Sequence, residues 1–504
     1  MAAAGLAVAA AAALYFAFGD LNFNLGDEAF LWYGVIRTRA GEVAVRDFQS
    51  YEPGRYYWSA AWSLLFGQGI LALRASLAVA RALGLFFGLL VCRRVTHSLA
   101  MLGFCAAVLA AWTIPDHKIF EAAISLAAVW VGVRLLEAPS AQRLFEAGAF
   151  TGLAAWFGRN HGLYCGLALT SMLLLLRVSG RLRLDRRAVV SFVIGGVAGS
   201  APLWAMSLLP GFATALWGSI VFNLTQGVNL PLPYPWPWSI DLQGKQGFDL
   251  LAEICTRGMF ALPLLLYPAG LLVALRTPPE RQAERAPMIA ATFVGVFYLH
   301  HASVRADIWH LAQAIHPLLI LALVMPACVS ARPPVKWATA SMLGAATFVV
   351  ALGVNPSFVQ FRPGARVELA AHEIAGDRLR LPSVQAAELT NVEAAVGSHL
   401  GAGEPLFVAP SRPGFYPIFG RTSPDYWIYF LWPATDTVQH QTIDRLEQAG
   451  VVWALIIDEA VDGNDALRFR NSNSKVWEYL MRSFAVVDDP RLPPAYTLLR
   501  RRAP

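Results

Sequence analysis

The chain has 504 residues, 56% hydrophobic and only 15% charged, with a mean hydropathy of +0.47. A soluble domain is about 45–50% apolar and about 25% charged, so this composition excludes an ordinary globular enzyme and predicts many membrane spans rather than one anchor. The net charge of +6 comes mostly from arginines in short gaps between apolar runs, which is a topology signal and argues against nucleic acid as a partner.

In chain order the apolar runs lie at about 1–18, 69–92, 97–114, 118–137, 146–158, 161–177, 188–209, 259–275, 287–301, 309–330 and 335–354. They predict a polytopic α-helical membrane protein of about eleven transmembrane helices. The first run is Ala-rich with no basic residue ahead of it, and reads as an uncleaved helix rather than a signal peptide. The pair at 146–158 and 161–177 is either two spans or one long kinked helix.

Charge sets the expected orientation. With the N-terminus inside, the inner gaps hold Arg93 and Arg94, then Arg134 and Arg143, then Arg177, Arg181, Arg183, Arg186 and Arg187, then Arg276, Arg281 and Arg285, then Arg332 and Lys336. The short outer gaps hold Lys118, Arg159 and Arg305. This positive-inside bias predicts a cytoplasmic N-terminus, and the low ratio of Lys to Arg, which suggests a GC-rich bacterial genome, points to a bacterial plasma (inner) membrane. The expected organisation is a transmembrane catalytic domain over 1–354, with outer loops 19–68 and 210–258, and a soluble extracytoplasmic (periplasmic) α/β domain over 355–504. The run Pro231 to Trp238 (PLPYPWPW) cannot be a regular helix and reads as a rigid loop at the membrane interface. In the tail the patterns predict helices over 384–400 and 436–449 and strands over 405–409 and 451–457. Cys92, Cys105, Cys165, Cys255 and Cys328 make no CxxC pair, so neither a disulfide framework nor a thiolate metal site is expected.

The polar residues that break this apolar background carry the chemistry. Asp27 and Glu28 follow the first run on the outer side, at the start of a helix reaching about Arg39; Asp47 and then Glu52-Pro53-Gly54-Arg55 come after it. A carboxylate held there can act as general base on an acceptor hydroxyl or amine. Acids are equally at home in a first helical turn as simple solvated charges. Pro115-Asp116-His117-Lys118 fills another outer gap. Only four of the 40 basic residues are lysines, and a lysine there suits either a phosphate or a snorkelling anchor. At Gly158-Arg159-Asn160-His161-Gly162, Arg159 and His161 can bind phosphate or cap two helices. In His300-His301-Ala302-Ser303-Val304-Arg305-Ala306-Asp307-Ile308-Trp309-His310, Asp307 lies three residues before His310 and can orient it or pair with Arg305. A zinc site from His300, His301, Asp307 and His310 is conceivable, but the spacing fits no standard motif, and no metal ligand is assigned. In the tail, Arg412 to Tyr416 and Gly420-Arg421 read as turn residues or as the border of an acceptor groove.

Asp27-Glu28 after the first span, a juxtamembrane helix, and Tyr51-Glu52-Pro53-Gly54-Arg55-Tyr56-Tyr57-Trp58 before the next span together resemble the first outer loop of the membrane glycosyltransferases of the C superfold. The nearest branches are the protein O-mannosyltransferases and the aminoarabinose transferases. The resemblance implies an inverting transferase that moves a hexosyl or pentosyl unit from a polyprenyl-phosphate-linked sugar to an envelope glycan, lipid or protein among the membrane lipids. It implies catalytic roles for Asp27, Glu28 and Asp47, with Asp27 as base. Lys118, Arg159, Arg305 and His310 would bind the donor phosphate, and Glu52, Arg55, His117, His161 and Asp307 would support the acceptor or the site. No cofactor is required by this reading, and a divalent metal is left open. The chain departs from the aminoarabinose branch at Glu52-Pro53-Gly54, where that branch often has Lys before Pro-Pro, so the substrate stays open. The competing classes are a lipid or polysaccharide transporter or flippase, a polysaccharide polymerase or ligase, and a non-catalytic scaffold. Against the transporter stands the lack of two related halves.

Overall fold

The computed structural model describes residues 1–183, 185–225, 230–240, 244–329, 332–355 and 357–503. The helices in chain order are α1 (Ala2–Phe18), α2 (Asp27–Arg39), α3 (Pro53–Phe66), α4 (Ile70–Cys92), α5 (Leu99–Ala111), α6 (Ile119–Glu137), α7 (Ala141–Phe157), α8 (Arg159–Val178), α9 (Arg186–Gly199), α10 (Ala201–Ser207), α11 (Phe212–Thr225), α12 (Gly247–Arg276), α13 (Gln282–Tyr298), α14 (His300–Val304), α15 (Ile308–Ala314), α16 (His316–Val329) and α17 (Pro333–Val354). Every apolar run read from the sequence falls on one of them or on two in succession, residue 330 of the run 309–330 lying outside the described residues. Among the described residues six helices are long and apolar enough to cross a membrane, or up to eight if each of two bent pairs is one span. The other three runs fall on α1, α5 and α7, of 17, 13 and 17 residues, short of the about 20 that a span needs.

Local chemistry explains the ends and breaks. Ser98, Ser140 and Asp185 accept hydrogen bonds from Met101 N, Arg143 N and Ala188 N at the starts of α5, α7 and α9. α9 and α10 meet at 54° with Pro202 in the first turn of α10, and α15 and α16 meet at 58° with Pro317 just after the break. The alternatives for 146–177 resolve as two helices. Gly158 adopts extended backbone between them (φ −175°, ψ 122°), and α8 folds back on α7 with Gly162 against Ala155.

The chain divides into two compact units. The first comprises Met1–Gly19, Arg74–Leu208 and Pro231–Arg366 and is helical. Its tightest seam joins α7 to α9. A Cβ on Gly148 or Gly152 would stand 2.0 Å from the Phe192 carbonyl oxygen or 2.3 Å from that of Gly196. One on Gly195 or Gly199 would stand 2.1 Å from the Phe145 oxygen or 1.9 Å from that of Ala149. Both helices thus present a Gly-x-x-x-Gly face, which lets two apolar helices touch backbone to backbone.

The second unit comprises Asp20–Leu73, Leu209–Leu230 and Val367–Pro504. Its strands are β1 (Leu369–Ile374), β2 (Asp377–Pro382), β3 (Leu406–Ala409), β4 (Trp453–Ile457), β5 (Phe484–Val487) and β6 (Tyr496–Arg501). β1 and β2 form a hairpin whose turn, Ala375-Gly376, has positive φ at both residues, as tight hairpin turns demand. The other four make one sheet in the order β3-β4-β6-β5, parallel between β3 and β4 and antiparallel elsewhere. The unit also holds α2, α3 and α11, helix α18 (Ser383–His399), the one-turn helices Phe415–Ile418 and Phe469–Ser472, and the longer helices Asp436–Gln448 and Ser474–Ser483. Phe407, Phe430, Leu446, Ile456, Phe469, Leu480 and Phe484 lie in its buried core. The tail elements expected from the sequence are present, within a residue or two of their expected ends.

Candidate functional site

In the second unit the acid pair opens α2. Asp27 and Glu28 occupy its first turn and Arg37 and Arg39 its last, complementing the helix dipole at both ends. Asn24 precedes them, and its Oδ1 accepts from Gly26 N at 2.9 Å and Asp27 N at 3.0 Å. Glu28 is buried, and its Oε2 accepts from Asn24 N at 3.4 Å. Asp27 keeps partial exposure, and its Oδ1 accepts from the Tyr429 hydroxyl at 2.9 Å. The two residues therefore differ: one carboxylate is inside, the other at the surface.

The remaining acids of this loop are differently engaged. Asp47 accepts from Val43 N at 2.8 Å and forms a two-pronged pair with Arg46 at 2.7 and 2.8 Å. The Arg46 guanidinium holds its carboxyl below the ordinary range. Glu52 stands at the N-cap of α3, with Pro53 in the first turn. Arg55 is buried with its guanidinium 5.1 Å from the centre of the Tyr51 ring, and Tyr51 lies edge-on to Phe30 of α2.

In the first unit the basic residues gather at the starts of α6 and α8 and around α14 and α15. A short turn, Asp116–Lys118, precedes α6, with His117 buried and Lys118 at the N-cap. Asp116 is gripped by Arg81 of α4 at 2.5 Å, and the Arg81 guanidinium also donates to Thr113 Oγ1 at 2.9 Å. Arg159 starts α8; His161, in the same first turn, is fully buried and stacks on Tyr298 with ring centres 5.7 Å apart. His301 lies 5.8 Å from His161, within electrostatic reach of Lys118, Glu121 and His310. Tyr164 Oη is 2.7 Å from His300 Nδ1.

Both expected uses of Asp307 occur together. Its Oδ1 lies 2.8 Å from His310 Nδ1 and accepts from His310 N at 2.9 Å, while Oδ2 accepts from Arg305 Nε at 2.7 Å. Burial pushes the Asp307 carboxyl up, but its bonds to His310 and Arg305 outweigh that and hold it below the usual value. Among the described residues no group of three or more His, Cys, Asp or Glu is placed to hold a metal ion.

Sequence reasoning passed over several residues that these arrangements depend on. Arg81 and Arg74 are buried cations in an apolar helix, a signal in its own right, since charge inside a span is costly. Glu121, buried in α6, is another. Tyr429 and Gln49 give no such signal. Arg421, weighed for an acceptor groove, donates to the carbonyls of Glu404 and Gly401 at 3.0 and 2.7 Å, the work of a turn residue. An open pocket lined by Glu373, Ile374, Ala375, Glu393, Ile418 and Phe419 contains none of the residues singled out from the sequence.

The fold of the chain is shared with a solved structure along almost the whole of both chains. Its particular likeness is to ArnT from Cupriavidus metallidurans bound to undecaprenyl phosphate, with a TM-score of 0.55 and 14% identity over 98% of this chain and 97% of that chain. The apo state of the same ArnT aligns over 99% and 98% at 13% identity with a TM-score of 0.49. The archaeal oligosaccharyltransferase AglB from Archaeoglobus fulgidus, in complex with an inhibitory peptide and a dolichol-phosphate, aligns over 90% of this chain and 69% of that chain at 10% identity and a TM-score of 0.40. No protein-family model matches the chain, and no curated protein matches its sequence. The likeness is therefore one of fold.

Proposed function

We propose that the chain is an inverting glycosyltransferase that moves a hexosyl or pentosyl unit from a polyprenyl phosphate to an envelope glycolipid, polysaccharide or protein on the outer face of the membrane. The observation that carries this reading is the fold shared with ArnT along almost the whole of both chains, a protein described with undecaprenyl phosphate bound. The acid pair at the start of α2 supports it from the side of the chemistry. Asp27 accepts the proton of the acceptor hydroxyl or amine as that atom bonds to the anomeric carbon. The bond from that carbon to the phosphate oxygen breaks, and the polyprenyl phosphate leaves with the electron pair; a single displacement inverts the centre. Lys118, Arg159, Arg305 and His310 are assigned to the negative charge of the leaving phosphate. Asp307 holds Arg305 and His310 in place, and Glu28, Asp47, Glu52, Arg55, His117 and His161 are assigned supporting roles. In this reading the chain crosses a bacterial inner membrane about eleven times, with its N-terminus cytoplasmic and residues 355–504 outside.

The test is a transfer assay with purified protein, a panel of synthetic polyprenyl-phosphate sugars and membrane extract as acceptor, read by mass spectrometry. Wild type is expected to consume one donor, and Asp27→Asn to lose at least about a hundredfold in kcat. Equal rates in both would move the base to Glu28 or Asp47. No donor consumed by folded wild type would sink the proposal in favour of a transporter or flippase.

A further inference from the structure

The Asp27 carboxylate is not positioned by its own helix alone. Tyr429, 402 residues further along, donates its hydroxyl to Asp27 Oδ1 at 2.9 Å. Tyr429 is itself held by both its ring and its backbone. Its ring packs on Phe30 of α2, with centres 4.8 Å apart. Its backbone N–H and that of Ile428 both donate to Gln49 Oε1, at 2.8 and 2.9 Å. Gln49 in turn donates its own N–H to the Tyr426 carbonyl at 2.9 Å, so residues 426–429 are clipped to the loop that follows α2. At Gly26 there is no room for a side chain, since a Cβ would stand 3.0 Å from the Tyr429 hydroxyl and 3.1 Å from the Ser411 carbonyl oxygen.

We propose that Tyr429 is the positioning residue for the base, donating to one carboxylate oxygen of Asp27 so that the other is aimed at the acceptor proton; this rests on the reading of Asp27 as the base. A carboxylate has two oxygens and rotates about its terminal torsion with little preference. One charge-assisted bond to a rigid donor removes that freedom, and such bonds are among the stronger ones in proteins. Burial and the neighbouring Asp27 push the phenol of Tyr429 well above its ordinary value, so it stays a donor at any physiological pH. Tyr429 touches neither donor nor acceptor in this scheme and acts only through Asp27.

The experiment is a double-mutant cycle in the transfer assay. Tyr429→Phe removes one oxygen and keeps the ring on Phe30. It is expected to lower kcat by about tenfold to a hundredfold with donor KM unchanged. In the Asp27→Asn background the same change is expected to cost less than about threefold, because partners acting as a unit are not additive. A Tyr429→His variant keeps a ring donor and is expected to retain more activity than Tyr429→Phe. Equal loss in the His and Phe variants, or an undiminished effect of Tyr429→Phe without Asp27, would overturn the proposal by making Tyr429 a packing residue. The two readings fail separately: activity retained by Asp27→Asn removes the base, whereas activity lost by Asp27→Asn but kept by Tyr429→Phe removes only the positioning role.

Discussion

At the scale of single residues, the charged groups of this chain earn their places by partnership. Asp307 is the clearest case. A carboxylate held below its unfolded value of about 3.9 adds stability at neutral pH, and that contribution is lost as pH falls through the lower folded value. Asp307→Asn is therefore expected to lower the detergent-solution Tm at pH 7 and to weaken its decline between about pH 5 and pH 3. An unchanged acid slope in thermal melts would show that the depression of Asp307 contributes nothing. Asp425 behaves in the opposite way. It is buried, which raises its carboxyl, and it is satisfied by Arg445 at 2.6 Å and Thr442 at 2.7 Å. Arg445→Ala strands that carboxylate and is expected to cost about 2–3 kcal/mol, less than the about 3–5 kcal/mol of a fully buried pair because Arg445 is partly exposed. Denaturant unfolding measures it, and a loss below about 0.5 kcal/mol would place the pair among ordinary surface contacts.

At the scale of elements, the helices were legible because long apolar runs ended by Ser, Asp, Pro or charge leave few alternatives. The pairing of Asp307 with His310 was legible for a related reason: both lie within one turn of chain. The β1–β2 hairpin was not. Its sequences LAAHEI and DRLRLP carry charge on the exposed positions and only short apolar alternation. α3 was hidden too, because its aromatic run read as an approach to the next span. The seam between α7 and α9 left a mark that went unread, since Gly148 and Gly152, like Gly195 and Gly199, stand four apart. Gly195→Val at that seam is expected to destabilise the protein by about 1–3 kcal/mol through overpacking. Gly5→Ala, where a Cβ meets nothing within 4 Å, should be neutral. Thermal melts of the two variants decide it, and equal Tm values would contradict the close packing.

At the scale of the whole molecule, arginine placement predicts an orientation and with it the side on which residues 355–503 lie. An alkaline phosphatase fused after residue 503 is expected to be active in intact cells, and a cytoplasmic reporter at the same place inactive. The reverse pattern would invert the topology and with it the proposed outer-face chemistry. What the sequence could not disclose was long-range partnership. Nothing near Asp27 names Tyr429, and nothing in Asp20–Leu73 tells that it shares a compact unit with Val367–Pro504.

That shared unit has a consequence for how the protein comes into being. Ribosomes add about 5–20 residues per second, so the 402 residues between Asp27 and Tyr429 delay their meeting by about 20–80 s. During that interval α2 has emerged without the tyrosine that holds its first carboxylate, and Gln49 without the amides it will accept. The segment around Asp27 must wait, unfinished, for a residue made 402 positions later. Chains arrested before Tyr429 would carry Asp27 without its clamp.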